Sequence, residues 1–155
     1  MSKVDKYVAL IPQIQSVLSG ETDEIARMSN MAALLHFEFG FWWTGFYRVV
    51  SADELVLGPF QGPVACTRIK KGRGVCGTSW REDRTLVVPD VEQFPGHIAC
   101  SSESRSEIVV PCRKFGQIVA VLDIDSKELA TFDEIDRDYL EQIVSMLYVK
   151  ESQRG

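Results

Sequence analysis

Residues 106–126 read SEIVVPCRKFGQIVAVLDIDS, and this stretch decides the fold. Glu107 to Cys112 and Gln117 to Asp125 are rich in β-branched and apolar residues, and Lys114 to Gly116 between them carries the turn glycine. The pattern predicts an antiparallel hairpin. Alternation puts Val119, Val121, Asp123 and Asp125 on one face of the second strand, and Ile118, Ala120, Leu122 and Ile124 on the other. If Arg113 pairs with Gln117 across the turn, Glu107 falls opposite Asp123 and Arg105 opposite Asp125. Three carboxyl groups then lie within reach of one another, although carboxylates are seldom fully buried unless paired. One reading is a reactive cluster. Close carboxylates cannot all ionise comfortably, so one keeps a proton near neutral pH and donates it, while an ionised neighbour binds an ammonium group. The other reading is a solvated face with Arg105 as an exposed salt-bridge partner.

Outward from the hairpin, the chain alternates helical and extended patterns. Asp5 to Leu18 carries Val8, Ile11, Val17 and Leu18, a short helix despite Pro12 that stops at Gly20. Thr22 is placed to cap a second helix whose stripe is Ile25, Met28, Met31, Ala32 and Leu35. Phe41 to Val50, Leu55 to Phe60 and Val64 to Ile69 read as strands, the first two as a hairpin. Gly72-Arg73-Gly74 is a turn before a short helix at Val75 to Arg81. Thr85 to Val88 is a short apolar run, and Asp90 to Cys100 is a loop. A final helix begins near Thr131, with Glu134 three residues on as its capping-box partner. Its stripe is Ile135, Tyr139, Leu140, Ile143, Met146 and Leu147. This order predicts an α+β domain spanning 1–155, an antiparallel sheet with helices mainly on one face.

The chain has 155 residues, 45% hydrophobic and 25% charged, with a net charge of −5. That composition excludes disorder, and no apolar stretch approaches the length of a membrane span. The acidic balance argues against nucleic acid, whose affinity comes from neutralised phosphates. Arg68, Lys70, Lys71, Arg73, Arg81 and Arg84 form a local exception and read as a solvated loop. The start, MSKVDKYVALIPQIQ, has no apolar h-region or small-residue cleavage site, so the expectation is a cytoplasmic protein with reduced thiols.

Cys66, Cys76, Cys100 and Cys112 include no C-x2-C pair, and His36 and His97 are the only histidines, so no zinc-finger pattern is present. Cys112 alternates with Ile108 and Val110 and fits a small buried hydrophobe. Cys100 follows a Pro-Gly loop with His97 three residues back, where an imidazolium would favour its thiolate. Cys66 and Cys76 flank the basic loop. A nucleophilic thiol with a resolving thiol is the signature of redox turnover, but spacing does not say which sulfurs meet. Trp42 and Trp43 alternate, so one of them faces any pocket on the sheet.

The segments WWTGFY (42–47), QGPVACTRI (61–69), GRGVCGT (72–78), FPGHIAC (94–100), SEIVVP (106–111) and VLDIDS (121–126) closely resemble the free methionine-(R)-sulfoxide reductases, which are stand-alone GAF domains. The likeness runs in order from Ser29 to Tyr139 and includes FDEID (132–136). It implies a GAF fold and reduction of free L-methionine-(R)-sulfoxide. It also implies Cys100 as the nucleophile, Cys66 as the resolving thiol and Cys76 as an alternative or relay. A carboxyl among Glu107, Asp123 and Asp125 would protonate the sulfoxide oxygen while the others hold the substrate ammonium. Trp43 and Tyr47 would surround the methylthio group. Thioredoxin as reductant, a homodimer, and no metal or organic cofactor complete what it implies. Two positions depart from the family pattern: Trp42 stands where Asn is usual, and Ser101 where Asp is usual. The competing class is a non-enzymatic GAF sensor for a small ligand, which has no need of three thiols in this arrangement.

Overall fold

The computed structural model describes residues 1–98, 100 and 102–149. Ser101 therefore lies outside the described residues. Two helices open the chain, α1 (Lys3–Leu18) and α2 (Glu24–Phe39). Strands β1 (Trp43–Val49), β2 (Glu54–Gln61) and β3 (Arg68–Lys70) follow, then helix α3 (Gly74–Glu82) and strand β4 (Leu86–Val88). The long hairpin β5 (Ser106–Lys114) and β6 (Gln117–Ser126) precedes helix α4 (Glu134–Val144). The six strands form one antiparallel sheet in the order β3-β2-β1-β6-β5-β4.

The two faces of the sheet have different tasks. On one, α1, α2 and α4 bury Tyr7, Leu10, Met31, Leu35, Leu140 and Ile143 against Phe46, Ile108, Val110, Cys112, Leu122 and Ile124. Apolar burial at about 25 cal/mol per Å² makes this the main source of stability. On the other face, α3 and the connecting loops cover Trp43, Tyr47, Val109 and Val121. The expected α+β arrangement, with helices mainly on one side, is the one observed.

Polar groups close the helical layer. Arg27 is buried, and its guanidinium donates to the carbonyls of Leu18, Glu21, Met146 and Leu147. It thereby ties the end of α1 and the segment after α4 to α2. Buried Asp136 accepts from the Tyr7 hydroxyl at 2.6 Å and from Lys3 Nζ at 2.6 Å.

Several boundaries differ from the sequence reading. Ser2 caps α1, in a capping box with Asp5. Asp23, not Thr22, caps α2, its carboxylate accepting from the Ala26 amide. The α4 cap is Asp133, in a capping box with Asp136. Thr131 lies two residues before that cap, with its hydroxyl turned to Ser126 Oγ at 2.6 Å. β3 begins later than Val64, because Pro63 and Cys66 are held by the side chains of Trp43 and Tyr47 on the β1 face, and only from Thr67, whose carbonyl accepts from the Leu57 amide, does the chain rejoin the edge of β2.

The hairpin register also differs. Lys114, not Arg113, pairs with Gln117, and Glu107 lies opposite Asp125 rather than Asp123. The reason is the turn: Phe115 and Gly116 have φ of 54° and 79°, a two-residue loop of the left-handed kind that matches strand twist. A bulge then follows, with Cys112 opposite Ala120 and Arg113 opposite Ile118. The extra residue, Val119, is pushed toward the α2 side, and Ile118 packs on the α3 side. Their expected faces are exchanged, while Val121, Asp123 and Asp125 keep theirs.

Gly45 sits beside a bulge in β2, where one residue of β1, Phe46, stands against Gly58 and Pro59. A Cβ there would lie 2.3 Å from Phe60 Cβ, 2.9 Å from Phe60 Cα and 2.7 Å from the Trp43 ring. Backbone on one side and a packed indole on the other leave little room to yield. Gly45→Ala is expected to cost about 1–3 kcal/mol. Denaturant unfolding followed by tryptophan fluorescence measures it, and an unchanged midpoint would contradict the packing described.

Candidate active site

The α3-side face of β1, β5 and β6 carries the chemistry. Register sets Asp125 between Trp43 on β1 and Glu107 on β5, and Asp123 between Gly45 and Val109. Glu107, Asp123 and Asp125 are 6%, 6% and 9% exposed, which excludes the solvated-face reading. Cys76, on the first turn of α3, lies over the same place. Its sulfur and a carboxylate oxygen from each of Glu107 and Asp123 fall within 4.8 Å of one another.

Burial and mutual repulsion shift these groups. Burial pushes the Glu107 carboxyl well above the usual range, and the charges of Asp123 and Asp125 push it further. Asp125 is raised by burial and by Asp123. Burial raises Asp123 too, but hydrogen bonding from Glu107 and Cys76 pulls it back. Asp123 is thus the favoured carboxylate, and its neighbours are the favoured proton holders. Cys76 is pushed up by burial and then by the three carboxyl groups, so it is a thiol at neutral pH. His97 is lowered by burial, with Asp123 opposing. It is therefore a neutral imidazole here, not the imidazolium that the spacing to Cys100 suggests.

Residues 62–66 roof the pocket, and β1 holds them there. Trp43 Nε1 donates to the Pro63 carbonyl at 3.0 Å, and the Tyr47 hydroxyl donates to the Cys66 carbonyl at 2.8 Å. The two rings stack at 5.9 Å and form one wall. Cys66 is thereby brought to Cys100, and the two are joined in a disulfide with a Cα separation of 5.3 Å. Cys76 and Cys112 are free and buried.

Cys100, Cys76, Glu107, Asp123, Asp125, Trp43 and Tyr47 all line one cavity, and Cys66 is bonded at its edge. Every candidate site residue of the sequence reading is thus in one place. Cys112 lies on the opposite face, where burial raises its thiol. Trp42 precedes β1 and packs beside Trp43's cluster instead of across the sheet, with Lys127 Nζ 4.4 Å from its ring centroid. The sequence reading missed Arg73 and Ser104, which also line the cavity. Arg73 was hidden in the basic run, of which Arg68, Lys70, Arg81 and Arg84 form surface ion pairs with Asp53, Glu54 and Glu82, and Lys71 lies over the Trp80 ring. No spacing rule separates it from them.

This geometry is that of a GAF domain, and a GAF domain model matches residues 13–149. Over 146 residues, 94% of this chain and 92% of the relative, it is 59% identical to GAF domain-containing protein A of Dictyostelium discoideum. It is 43% identical to the free methionine-R-sulfoxide reductase of Escherichia coli, covering 95% of this chain and 89% of that one. The X-ray structure of free methionine-R-sulfoxide reductase from Neisseria meningitidis in complex with its substrate superposes with a TM-score of 0.93 at 53% identity, covering 95% and 89% of the two chains. The chain belongs to the GAF family, in its branch of free methionine-R-sulfoxide reductases.

A raised carboxyl pKa in the folded state means that folding takes up protons above the unfolded value of about 4.3. Stability therefore falls as pH rises from there toward the folded pKa. Glu107→Gln removes this penalty. Its Tm should equal wild type near pH 4 and exceed it increasingly toward pH 8, on a scale of about 2–4 °C per kcal/mol for a chain of this length. A constant difference across that range in calorimetric scans would contradict the assigned shift.

Proposed function

We propose that this chain, acting as a single GAF domain over 1–155, reduces free L-methionine-(R)-sulfoxide to L-methionine. The observation that carries the reading is the Cys66–Cys100 disulfide at the edge of a pocket floored by three buried carboxyl groups. The named relatives support the same reaction.

The electrons balance as follows. The Cys100 thiolate attacks the sulfoxide sulfur while Glu107 or Asp125 protonates the oxygen. The S–O bond breaks, the oxygen passes to Cys100 as a sulfenic acid, and methionine leaves. The Cys66 thiol then attacks the sulfenic sulfur, releasing water and leaving the observed disulfide. Thioredoxin's dithiol restores both thiols by exchange. Cys66 suits the resolving role better than Cys76, whose buried thiol ionises poorly beside carboxylates. Asp123 pairs with the substrate ammonium. A peptide-bound residue lacks that charge and would leave Asp123 buried and unpaired, a strong penalty. Trp43 and Tyr47 contact the methylthio group.

The chemistry requires a compartment that keeps thiols reduced, which fits the cytoplasm. Among the described residues, no helix is long and apolar enough to cross a membrane. A homodimer would cover the outward apolar side chains Val8 and Val17 of α1 and Phe37 of α2, which is 75% exposed.

The decisive experiment measures methionine release from separate R and S epimers of the free sulfoxide, with thioredoxin, its reductase and NADPH. Turnover of the R epimer alone is expected. Cys100→Ser should lower it by about 10³-fold or more, and Cys66→Ser should allow one turnover but not recycling. No turnover of either epimer by folded, reduced protein would favour a ligand-binding GAF sensor instead.

A further inference from the structure

The pocket floor contains a donor set that the reaction does not use as a unit. Cys76 Sγ and carboxylate oxygens of Glu107 and Asp123 converge within 4.8 Å, and all three residues are buried. They come from α3, β5 and β6, so the sheet and helix fix their spacing without any local ligand motif. A second observation points to a missing partner. Asp123 is 6% exposed and lines the cavity, and its Oδ1 is buried with no hydrogen-bond partner. Cys76 is free even while Cys66 and Cys100 are tied together.

One sulfur and two carboxylate oxygens, all from residues that line the cavity, supply the ligand count of a three-ligand site whose fourth position is left to water. The sulfur selects thiophilic borderline ions and disfavours magnesium and calcium. The cavity, of about 50 Å³, has room for a water in the fourth position. A divalent ion also brings more neutralising charge to the clustered acids than an ammonium does.

We infer that this floor is an inhibitory site for a thiophilic divalent cation of the Zn²⁺ class, held by Cys76, Glu107 and Asp123 in place of the substrate's ammonium. The competition rests on the proposed function, whereas the binding does not. No redox change occurs. The Cys76 S–H bond breaks, a metal–sulfur bond forms, and the proton passes to solvent, as does any proton on the carboxyl groups.

The test uses Co²⁺ as a spectroscopic probe on wild-type protein with the Cys66–Cys100 disulfide intact, so neither of those sulfurs can ligate. A near-ultraviolet sulfur-to-cobalt band is expected, and Zn²⁺ should bleach it. Cys76→Ser should abolish the band, Cys112→Ser should keep it, and Asp123→Asn should weaken binding at least about tenfold. Zn²⁺ should also slow labelling of Cys76 by methyl methanethiosulfonate in wild type, which needs no variant to fold. No sulfur band, a band surviving Cys76→Ser in folded protein, or unprotected Cys76 overturns the site. In Cys66→Ser/Cys100→Ser protein, which cannot turn over, free methionine-(R)-sulfoxide should expel the cobalt. Retained cobalt, when the wild-type enzyme reduces that epimer, overturns the competition. Absence of turnover by metal-free wild type would instead defeat the proposed function and leave the cobalt band standing.

Discussion

Three carboxyl groups buried on one face of a sheet are the constraint around which this molecule is arranged. Burial disfavours each charge, and proximity disfavours the second and third more strongly. Such a cluster destabilises the fold that contains it. The opposite face supplies the compensation: a layer of three helices whose core residues are almost wholly excluded from solvent. Two of its buried polar side chains are well satisfied, Arg27 by four carbonyls and Asp136 by Tyr7 and Lys3. One side of the sheet carries stability, and the other carries a strained electrostatic site. This division is the usual cost of function in small domains.

The same face shows how position is transmitted from sheet to loop. Trp43 and Tyr47 each present a ring to the pocket and a polar tip to the roof. Strand alternation places them four residues apart on one side, with Gly45 between them, so both reach residues 62–66 at once. The roof places Cys66, and Cys66 meets Cys100. A rigid strand therefore determines where two loop sulfurs come together, and it does so through side chains that also form the pocket wall. The aromatic residues serve as walls and as positioning groups, and the second task explains why Tyr and Trp stand here instead of Phe.

Much of this was legible in the sequence, for identifiable reasons. Long periodic elements declare themselves: the α2 stripe Met28, Met31, Ala32 and Leu35 is buried as read, and the β5–β6 alternation needs no tertiary knowledge. Caps were less legible, because Thr22 and Asp23, or Thr131 and Asp133, offer equivalent oxygens. Tertiary partners choose between them, as the Thr131 bond to Ser126 does. The path of residues 62–66 was also hidden, since Val64 to Ile69 has a strand-like pattern, but the carbonyls of Pro63 and Cys66 take polar tips of β1 side chains as partners. Arg73 looked like its basic neighbours because a cavity leaves no mark on composition.

The hairpin register shows why a wrong local detail left the site intact. Sequence pairing set Glu107 opposite Asp123, whereas the structure sets it opposite Asp125. The difference is two residues, and the side-chain period of a strand is also two. A shift of two slides carboxyls along one face without turning any of them over. Had the error been one residue, Glu107 would have faced the helical core and the cluster would not exist. The bulge at Val119 adds one extra residue, and beyond it Ile118 and Val119 do exchange faces. The acidic residues escape that reversal because they lie on the far side of the bulge from the turn. What the alternation encodes is therefore which face a residue occupies. The turn, with Phe115 and Gly116 at positive φ, and the bulge at Val119 decide which neighbour it meets there.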